Sequence, residues 1–140
     1  MMDLPAHERR ITLRLLAYWE RLRGERSMPL EADIDPDNLS DVWDYCFLLH
    51  VNDLQKTDHS YTYLGDALST WLGNEEKAMN VKLLRAGYHK VVATGRPVLE
   101  EDEFEDASGQ LVKFRQCLLP LGENGQVQAI LGGVRFKVFA

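Results

Sequence analysis

The side chains that could do chemistry in this sequence are few, and their patterns do not support catalysis. Ser60, Ser69 and Ser108 lack the glycine-flanked turn that exposes a catalytic serine. Cys46 and Cys117 both lie inside apolar runs, which predicts buried, reduced thiols rather than nucleophiles or a disulfide. We therefore expect no enzymatic activity and identify no catalytic residue.

Metal-binding patterns are equally weak. The four histidines, His7, His50, His59 and His89, and the two cysteines do not form the paired Cys and His motifs of structural zinc sites, so no such site is predicted. Residues 100–106 carry six acids in seven positions. That run lacks the ligand spacing and the glycine turn of a calcium loop, and it predicts a solvated strand edge.

Length and charge narrow the class of protein. The chain has 140 residues, which suits one domain with its own core. Its net charge of -6 argues against a nucleic-acid partner. No apolar run approaches the ~20 residues of a membrane span, and the first ten residues lack the apolar stretch of a signal peptide. We expect a cytoplasmic protein without a membrane partner.

The N-terminal region predicts an amphipathic helix at residues 8–23. One apolar stripe recurs at spacings of three and four residues: Ile11, Leu15, Tyr18 and Leu22. Trp19 widens the stripe, Gly24 ends the helix, and Pro29 prevents its resumption. Acids are interleaved with the arginines, so this helix is interpreted as one that contacts protein rather than nucleic acid.

The rest of the chain predicts strands and helices in a definite order. An extended linker at 31–36 precedes helices at 36–43, 67–72 and 75–94 and strands at 45–51, 60–64, 98–104, 111–119 and 127–139. Asn124-Gly125 predicts a tight hairpin between the last two strands. This order favours an α+β fold with a single antiparallel five-stranded sheet, helices on one face and an N-terminal flanking helix.

Strand alternation predicts a pocket on the face toward the helices. Its floor is formed by Val112, Phe114, Leu118, Ile130, Val134, Phe136 and Val138. Gln116 shares this face and would orient a small ligand. The predicted walls are Tyr63, Trp71, Met79 and Leu83. The alternative is a filled core in which Gln116 bonds to the backbone.

The opposite face carries an apolar patch that something must cover. It consists of Leu111, Cys117, Leu119, Val127, Ala129 and Leu131. The N-terminal helix is the predicted cover, and its stripe is wide enough to meet a second copy as well. The predicted dimer interface is therefore Ile11, Leu15, Tyr18, Trp19 and Leu22. The alternative is a helix that lies only on its own sheet.

Five stretches carry a resemblance to a known family. They are "LLAYWERLRGERSMPLEADIDP", "CFLLHV", "YTYLGDALSTWLG", "YHKVVATGRPV" and "CLLPLGENGQVQAILGG". Their order, from about residue 14 to residue 133, resembles a family of single-domain PAS proteins common in alphaproteobacteria. One departure follows Gly73, where the chain reads Asn-Glu-Glu-Lys and such relatives often have an acid, a small residue and a glycine.

The resemblance implies a sensory or regulatory module that dimerises through its flanking helix and regulates an unidentified partner protein. It divides the chain into an N-terminal helix and linker at 1–29 and a PAS domain at 30–140. It also implies an alternative, a protein dedicated to a small ligand such as haem, with His89 on the long helix as the ligand to iron. Neither cysteine has the Asn-Cys-Arg context of flavin-binding relatives, and no cofactor is required.

Overall fold

The computed structural model describes residues 11–51, 60–72, 87–106 and 108–139. In chain order it contains helix α1 (Ile11–Arg23), strands β1 (Cys46–His50) and β2 (Ser60–Leu64), helix α2 (Asp66–Leu72), and strands β3 (Val98–Glu105), β4 (Leu111–Glu123) and β5 (Gln126–Phe139). Residues 87–94 are also helical and are called α3. The strands form one sheet in the order β2-β1-β5-β4-β3, and each neighbouring pair is antiparallel. The predicted α+β class is confirmed.

The segment between α1 and β1 is made of short 3-10 turns at Glu31–Asp33, Pro36–Leu39 and Trp43–Tyr45. The second turn begins where a helix was predicted, and the Asp35 carboxylate caps it by accepting the Asp37 N–H at 3.0 Å. The prediction of an extended linker at 31–36 is wrong in its first half. The Asp33 carboxylate accepts the Leu30 N–H at 2.9 Å, which closes a turn and lowers the pKa of Asp33.

The predicted hairpin between the last two strands is confirmed, with longer strands. Asn124 and Gly125 both have positive φ, 56° and 75°, as a tight two-residue hairpin turn requires. β4 continues past its predicted end at 119 and keeps its pairing with β5 as far as the turn. Pro120 lies within this pairing opposite Ile130, and its carbonyl accepts a hydrogen bond from the Trp19 indole at 2.8 Å.

The sheet has an apolar core on each face. The inner face packs against α2 and α3, which contribute Leu68, Tyr88 and Val91 to a core with Phe47, Leu49, Val112, Phe114, Leu118 and Ile130. The outer face packs against α1, and this second core contains Ile11, Leu15, Tyr18, Trp19, Cys46, Cys117, Leu119 and Leu131. The flanking helix therefore lies on the predicted face.

Two consecutive glycines in the central strand let both layers approach. A Cβ at Gly132 would overlap the ring of Phe47 on the inner face. A Cβ at Gly133 would overlap Cδ1 of Leu15 on the outer face. The Phe47 ring therefore needs the absence of a side chain at Gly132, whereas a side chain at Gly133 would require Leu15 to move its Cδ1.

Polar contacts also fix α1 to the rest of the chain. The Arg14 guanidinium bonds both carboxylate oxygens of Asp41, at 3.2 and 3.0 Å, and the Asn38 carbonyl at 2.8 Å. The Tyr18 hydroxyl accepts the Asp35 N–H at 3.0 Å. These bonds join the outward edge of the helix to the turns that lead into β1, so α1 is held by more than apolar contact.

Most of the stripe that was predicted to meet a second copy is buried within this chain. Ile11, Leu15, Tyr18 and Trp19 are at most 3% exposed, and Leu22 is half-buried. The stripe packs on its own sheet, which was the alternative reading of the pattern. A dimer through this helix would have to use its outward residues instead.

Candidate functional site

A hydrogen-bonded polar pair interrupts the apolar inner face. Gln116 on β4 is only 5% exposed, and its amide nitrogen donates to Oε1 of Glu100 at 2.7 Å. The two residues are direct cross-strand partners, since Glu100 of β3 pairs with Gln116 in the register. A buried amide that bonds a carboxyl group is a polar feature that a small ligand could recognise.

Gly87 brings helix α3 against this pair. A Cβ at Gly87 would lie 2.7 Å from Oε1 of Glu100 and 2.8 Å from Cδ1 of Leu118, both closer than ordinary contacts. A side chain at this position would force the ends of the Glu100 and Leu118 side chains to move, so the absence of one keeps α3 close to β3 and β4. In the sequence Gly87 counted against an unbroken helix, whereas in the structure it lies at the contact between helix and polar pair.

The structure brings only part of the predicted pocket together. Phe114 and Ile130 lie on the inner face with Gln116, at 7% and 0% exposure. Met79 and Leu83 lie outside the described residues, as does the side chain of Trp71.

Tyr63 lies on the outer side and not beside Gln116. Its ring stacks on Trp43 with centroids 4.4 Å apart, and its hydroxyl donates to the Trp43 carbonyl at 2.9 Å. The register places Tyr63 opposite Leu48, and both pack against the outer core. Burial, reinforced by the Asp44 carboxylate, raises the pKa of the Tyr63 hydroxyl.

His89 does not reach the inner face. Its side chain is exposed, while the preceding residue, Tyr88, is 3% exposed and belongs to the inner core. On a helix, neighbouring residues point about 100° apart, so the core position of Tyr88 turns His89 outward. The described residues therefore do not fit a haem group ligated by His89 within the core.

Both cysteines are buried thiols on the outer face. Desolvation raises the pKa of Cys117 to about 12, and it raises the pKa of Cys46 as well. Both residues pair with Gly133, one from each side of β5, so two strand spacings of about 4.8 Å separate them. That separation exceeds the reach of a disulfide.

The acidic run is mostly the solvated edge that its composition predicted. β3 is an edge strand, and Glu101, Asp102, Glu103 and Glu105 are exposed. Glu100 and Asp106 are only partly exposed, and of the two only Glu100 bonds Gln116; sequence reasoning missed Glu100 along with Gly87. The pairing of β3 with β4 was the signal that could have identified Glu100, because the register sets this acid, and no other of the six, opposite Gln116.

Two classes of feature are absent from the ranges that the structure describes. Within residues 11–51, 60–72, 87–106 and 108–139, no group of three or more His, Cys, Asp or Glu side chains could hold a metal ion. In the same ranges no helix combines the length and the apolar character needed to cross a membrane.

Replacing Gln116 by glutamate tests the polar pair through pH. The Gln116→Glu variant sets two carboxyl groups at hydrogen-bonding distance, which raises the pKa of one of them in the folded state. A group with a raised folded pKa stabilises the fold below its unfolded pKa, and that contribution is lost as pH rises through the folded value. We expect near-native thermal stability at about pH 4.5 and a loss of about 1–3 kcal/mol by about pH 7.5.

The matched control for this experiment is Gln128→Glu. Gln128 is exposed on β5, so a carboxylate there stays hydrated and adds little pH dependence. Unfolding is followed by circular dichroism across the pH series for both variants. Identical pH profiles for the two variants would contradict the contact between Gln116 and Glu100.

Comparison with known proteins identifies the family. A family model described as a PAS domain matches residues 7–135. No curated protein matches the sequence.

Three solved structures align with parts of this chain. They are an RNA-binding light-oxygen-voltage receptor (21% identity, TM-score 0.45), a LOV protein of Rhodobacter sphaeroides (12%, 0.45) and the ligand-binding domain of the Pseudomonas aeruginosa PAO1 amino acid chemoreceptor PctC in complex with GABA (17%, 0.42). In the same order, the alignments cover 66%, 74% and 89% of this chain. They cover 28%, 68% and 52% of the respective other chains. At these identities and scores, the likenesses say nothing about what this chain binds.

The family match therefore gives the classification. It covers nearly the whole chain, including α1, the sheet and the polar pair of Gln116 and Glu100. The order of elements and the motifs that resembled this family in the sequence lie within the matched range. The chain belongs to the PAS domain family.

Proposed function

We propose that this PAS domain is a regulatory module that acts by contact with a partner protein and responds to a small polar ligand on its inner face. The family supports a sensory role, since PAS domains are generally sensory rather than catalytic. The pair of Gln116 and Glu100 carries the ligand part of the proposal. It is a buried polar feature among apolar neighbours, which is the arrangement that gives a ligand site its specificity.

The position of α3 supplies the response in this proposal. Gly87 lies against Oε1 of Glu100, so a ligand that takes over the amide of Gln116 releases that carboxyl group next to the helix. Such a ligand binds more tightly to the protein with α3 in one position than in another. It therefore increases the population of the conformation that it binds more tightly. A change at the polar pair would thus become a change at the protein surface.

We further propose a homodimer that uses the outward face of α1. Leu13 is 43% exposed, and Ala17, one turn further along, is also exposed. The inward stripe stays on its own sheet, so residues 1–29 act as a capping and dimerising segment for the PAS domain at 30–140. Haem is not part of this proposal, because His89 is exposed.

The proposed site of action is the cytoplasm, and nucleic acid, membrane and catalysis play no part in the proposal. Its supports are the net charge of -6 and the buried, protonated state of both thiols.

Ligand binding is tested by thermal shift of the full chain against amino acids, dicarboxylates and nucleosides. We expect at least one compound to raise the Tm of the native protein and to raise the Tm of Gln116→Leu much less, because that variant lacks the amide. A ligand concentration of about a hundred times Kd stabilises the folded state by roughly 2.7 kcal/mol. Gln128→Leu is the control and should respond like the native protein.

Two results would contradict the ligand site. One is an equal Tm response of the native protein and Gln116→Leu to every compound that binds. The other is the absence of any response, together with a native mass spectrum that shows only the bare chain.

The dimer is tested by light scattering of Leu13→Arg. A charged side chain at the centre of the proposed contact should shift the mass from that of two chains toward the 16.1 kDa of one. Val138→Arg is the control, because Val138 is similarly exposed at 42% but lies on the sheet. A native protein that is monomeric, or a Leu13→Arg variant that remains dimeric, would refute the proposed dimer.

A further inference from the structure

Four cations form a compact square on the outer face of the sheet. Lys113 and Arg115 lie on β4, and each is directly opposite a residue of like charge on β5: Lys137 and Arg135. Like charges in cross-strand positions destabilise a sheet. The chain has a net charge of -6, so this cluster does not reflect a generally basic surface. An anion that binds there would offset the repulsion.

Aromatic rings hold these cations at the surface. The ammonium groups of Lys113 and Lys137 lie 5.0 and 5.4 Å from the centroid of the Phe139 ring. The guanidinium of Arg135 lies 4.5 Å from the Tyr45 ring. These are cation–π distances, at which a cation can remain hydrated and still face solvent.

The cations line a groove with a volume of about 480 Å³. We call it the cation groove; its lining includes Glu101, Lys113, Arg115, Arg135, Lys137 and Phe139. One carboxylate enters it, since Glu101 bonds the Arg115 guanidinium at 2.9 Å. Phe139 is 38% exposed and offers an apolar contact beside the charges. A ligand that fits this groove carries negative charge and some apolar surface.

The groove lies in line with α1. The helix contacts Pro120 through Trp19 and, nearer its N-terminus, packs Leu15 over Gly133. Arg135 follows Gly133 by two residues and is on the same face of β5. The cation groove thus lies beyond Gly133 along β5, on the face of the sheet against which α1 packs.

The spacing of the cations matches an acidic helix. The two cross-strand rows are two residues apart along each strand, or about 6.6 Å. Residues i and i+4 of an α-helix are about 6 Å apart along its axis and share one face. Glutamates one turn apart would therefore meet both rows of cations, and an apolar residue between them would meet Phe139.

Three other occupants fit the groove less well. A nucleic-acid strand carries a charge at every nucleotide and would extend beyond the four cations to Glu101, Glu103 and Glu105 on the same face of β3, whereas a helix can confine its carboxylates to the side that meets the cations. A second copy's sheet would be held away by α1, since a helix is about 10 Å across. The chain's first ten residues contain two acids and two arginines, so they are a poor electrostatic complement.

We propose that the cation groove is the docking site for an acidic amphipathic helix of a partner protein. The proposal rests on the proposed function, for which it supplies the chemistry of the partner. Binding is electrostatic and apolar together: carboxylates meet the four cations, and an apolar side chain meets Phe139. Docking at this position uses only the outer face and leaves the inner face available for a ligand.

The probe for this proposal is a synthetic helix of about four turns with glutamates at i and i+4 and leucines on the same face. A peptide of the same composition with its glutamates dispersed around the helix is the comparison. Binding to the full chain is measured by fluorescence anisotropy at low ionic strength. We expect the ordered peptide to bind at least about fivefold more tightly than the dispersed one.

The double variant Lys113→Gln/Lys137→Gln should weaken binding roughly tenfold. It removes cross-strand repulsion, so its thermal stability should equal or exceed that of the native protein. The matched control is Lys90→Gln/Arg96→Gln, which neutralises two exposed cations on α3 and on the connection to β3. This control should change Kd by less than about twofold.

Several outcomes would overturn the proposal. Equal binding of the two peptides, or unchanged binding by the groove variant, would remove the site. Tighter binding of a short oligouridylate than of the peptide would assign the groove to nucleic acid. Dissociation of a native dimer by Lys113→Gln/Lys137→Gln would assign it to a second copy. A roughly tenfold gain in affinity on deleting residues 1–10 would assign it to the chain's own N-terminus.

Failure of this proposal is distinguishable from failure of the proposed function. The ligand response depends on Gln116 on the inner face and should survive the groove substitutions. If the peptide binds but no compound shifts the Tm, the docking site is supported and the ligand site is refuted. If a compound acts through Gln116 but the peptide does not bind, the reverse holds.

Discussion

The packing of Leu15 into the space above Gly133 is the contact on which the outer layer depends. β5 is the central strand, and its two consecutive glycines leave room on both faces, for Phe47 on one side and Leu15 on the other. A side chain at Gly133 would displace Cδ1 of Leu15, which packs in the core that also holds Cys46 and Cys117. The flanking helix is in this sense part of the domain core.

That constraint determines which surfaces are left for function. Because the apolar stripe of α1 is buried against its own sheet, other molecules can contact only the surfaces that this packing leaves exposed. On the outer face this is the half beyond Gly133, where cations replace apolar residues. On the inner face it is the polar pair of Gln116 and Glu100, with Gly87 of α3 against it. The two sites lie on opposite faces of the same strands, and β4 contributes to both.

Much of the fold could be predicted from local pattern, whereas the sites depended on pairing. Alternation in β4 and β5 predicted both faces, and Asn124-Gly125 predicted the hairpin. The prediction placed Tyr63 on the wrong face, because its side follows from its pairing with Leu48, which packs against the outer core, and not from its own strand. Glu100 was hidden among six acids until pairing set it opposite Gln116. An apolar stripe looks the same whether it covers its own sheet or a second copy's.

A double-mutant cycle between Leu15 and Gly133 tests the central claim, that α1 is built into this sheet. Leu15→Ala should cost about 2–5 kcal/mol of unfolding free energy, and Gly133→Ala about 1–3 kcal/mol. Because the smaller side chain makes room for the new methyl group, the double variant should be less destabilised than the sum by at least about 0.5 kcal/mol. Leu13 is exposed, so the cost of Leu13→Ala in unfolding free energy should simply add to the cost of Gly133→Ala. Additive costs for Leu15→Ala and Gly133→Ala would contradict the claim.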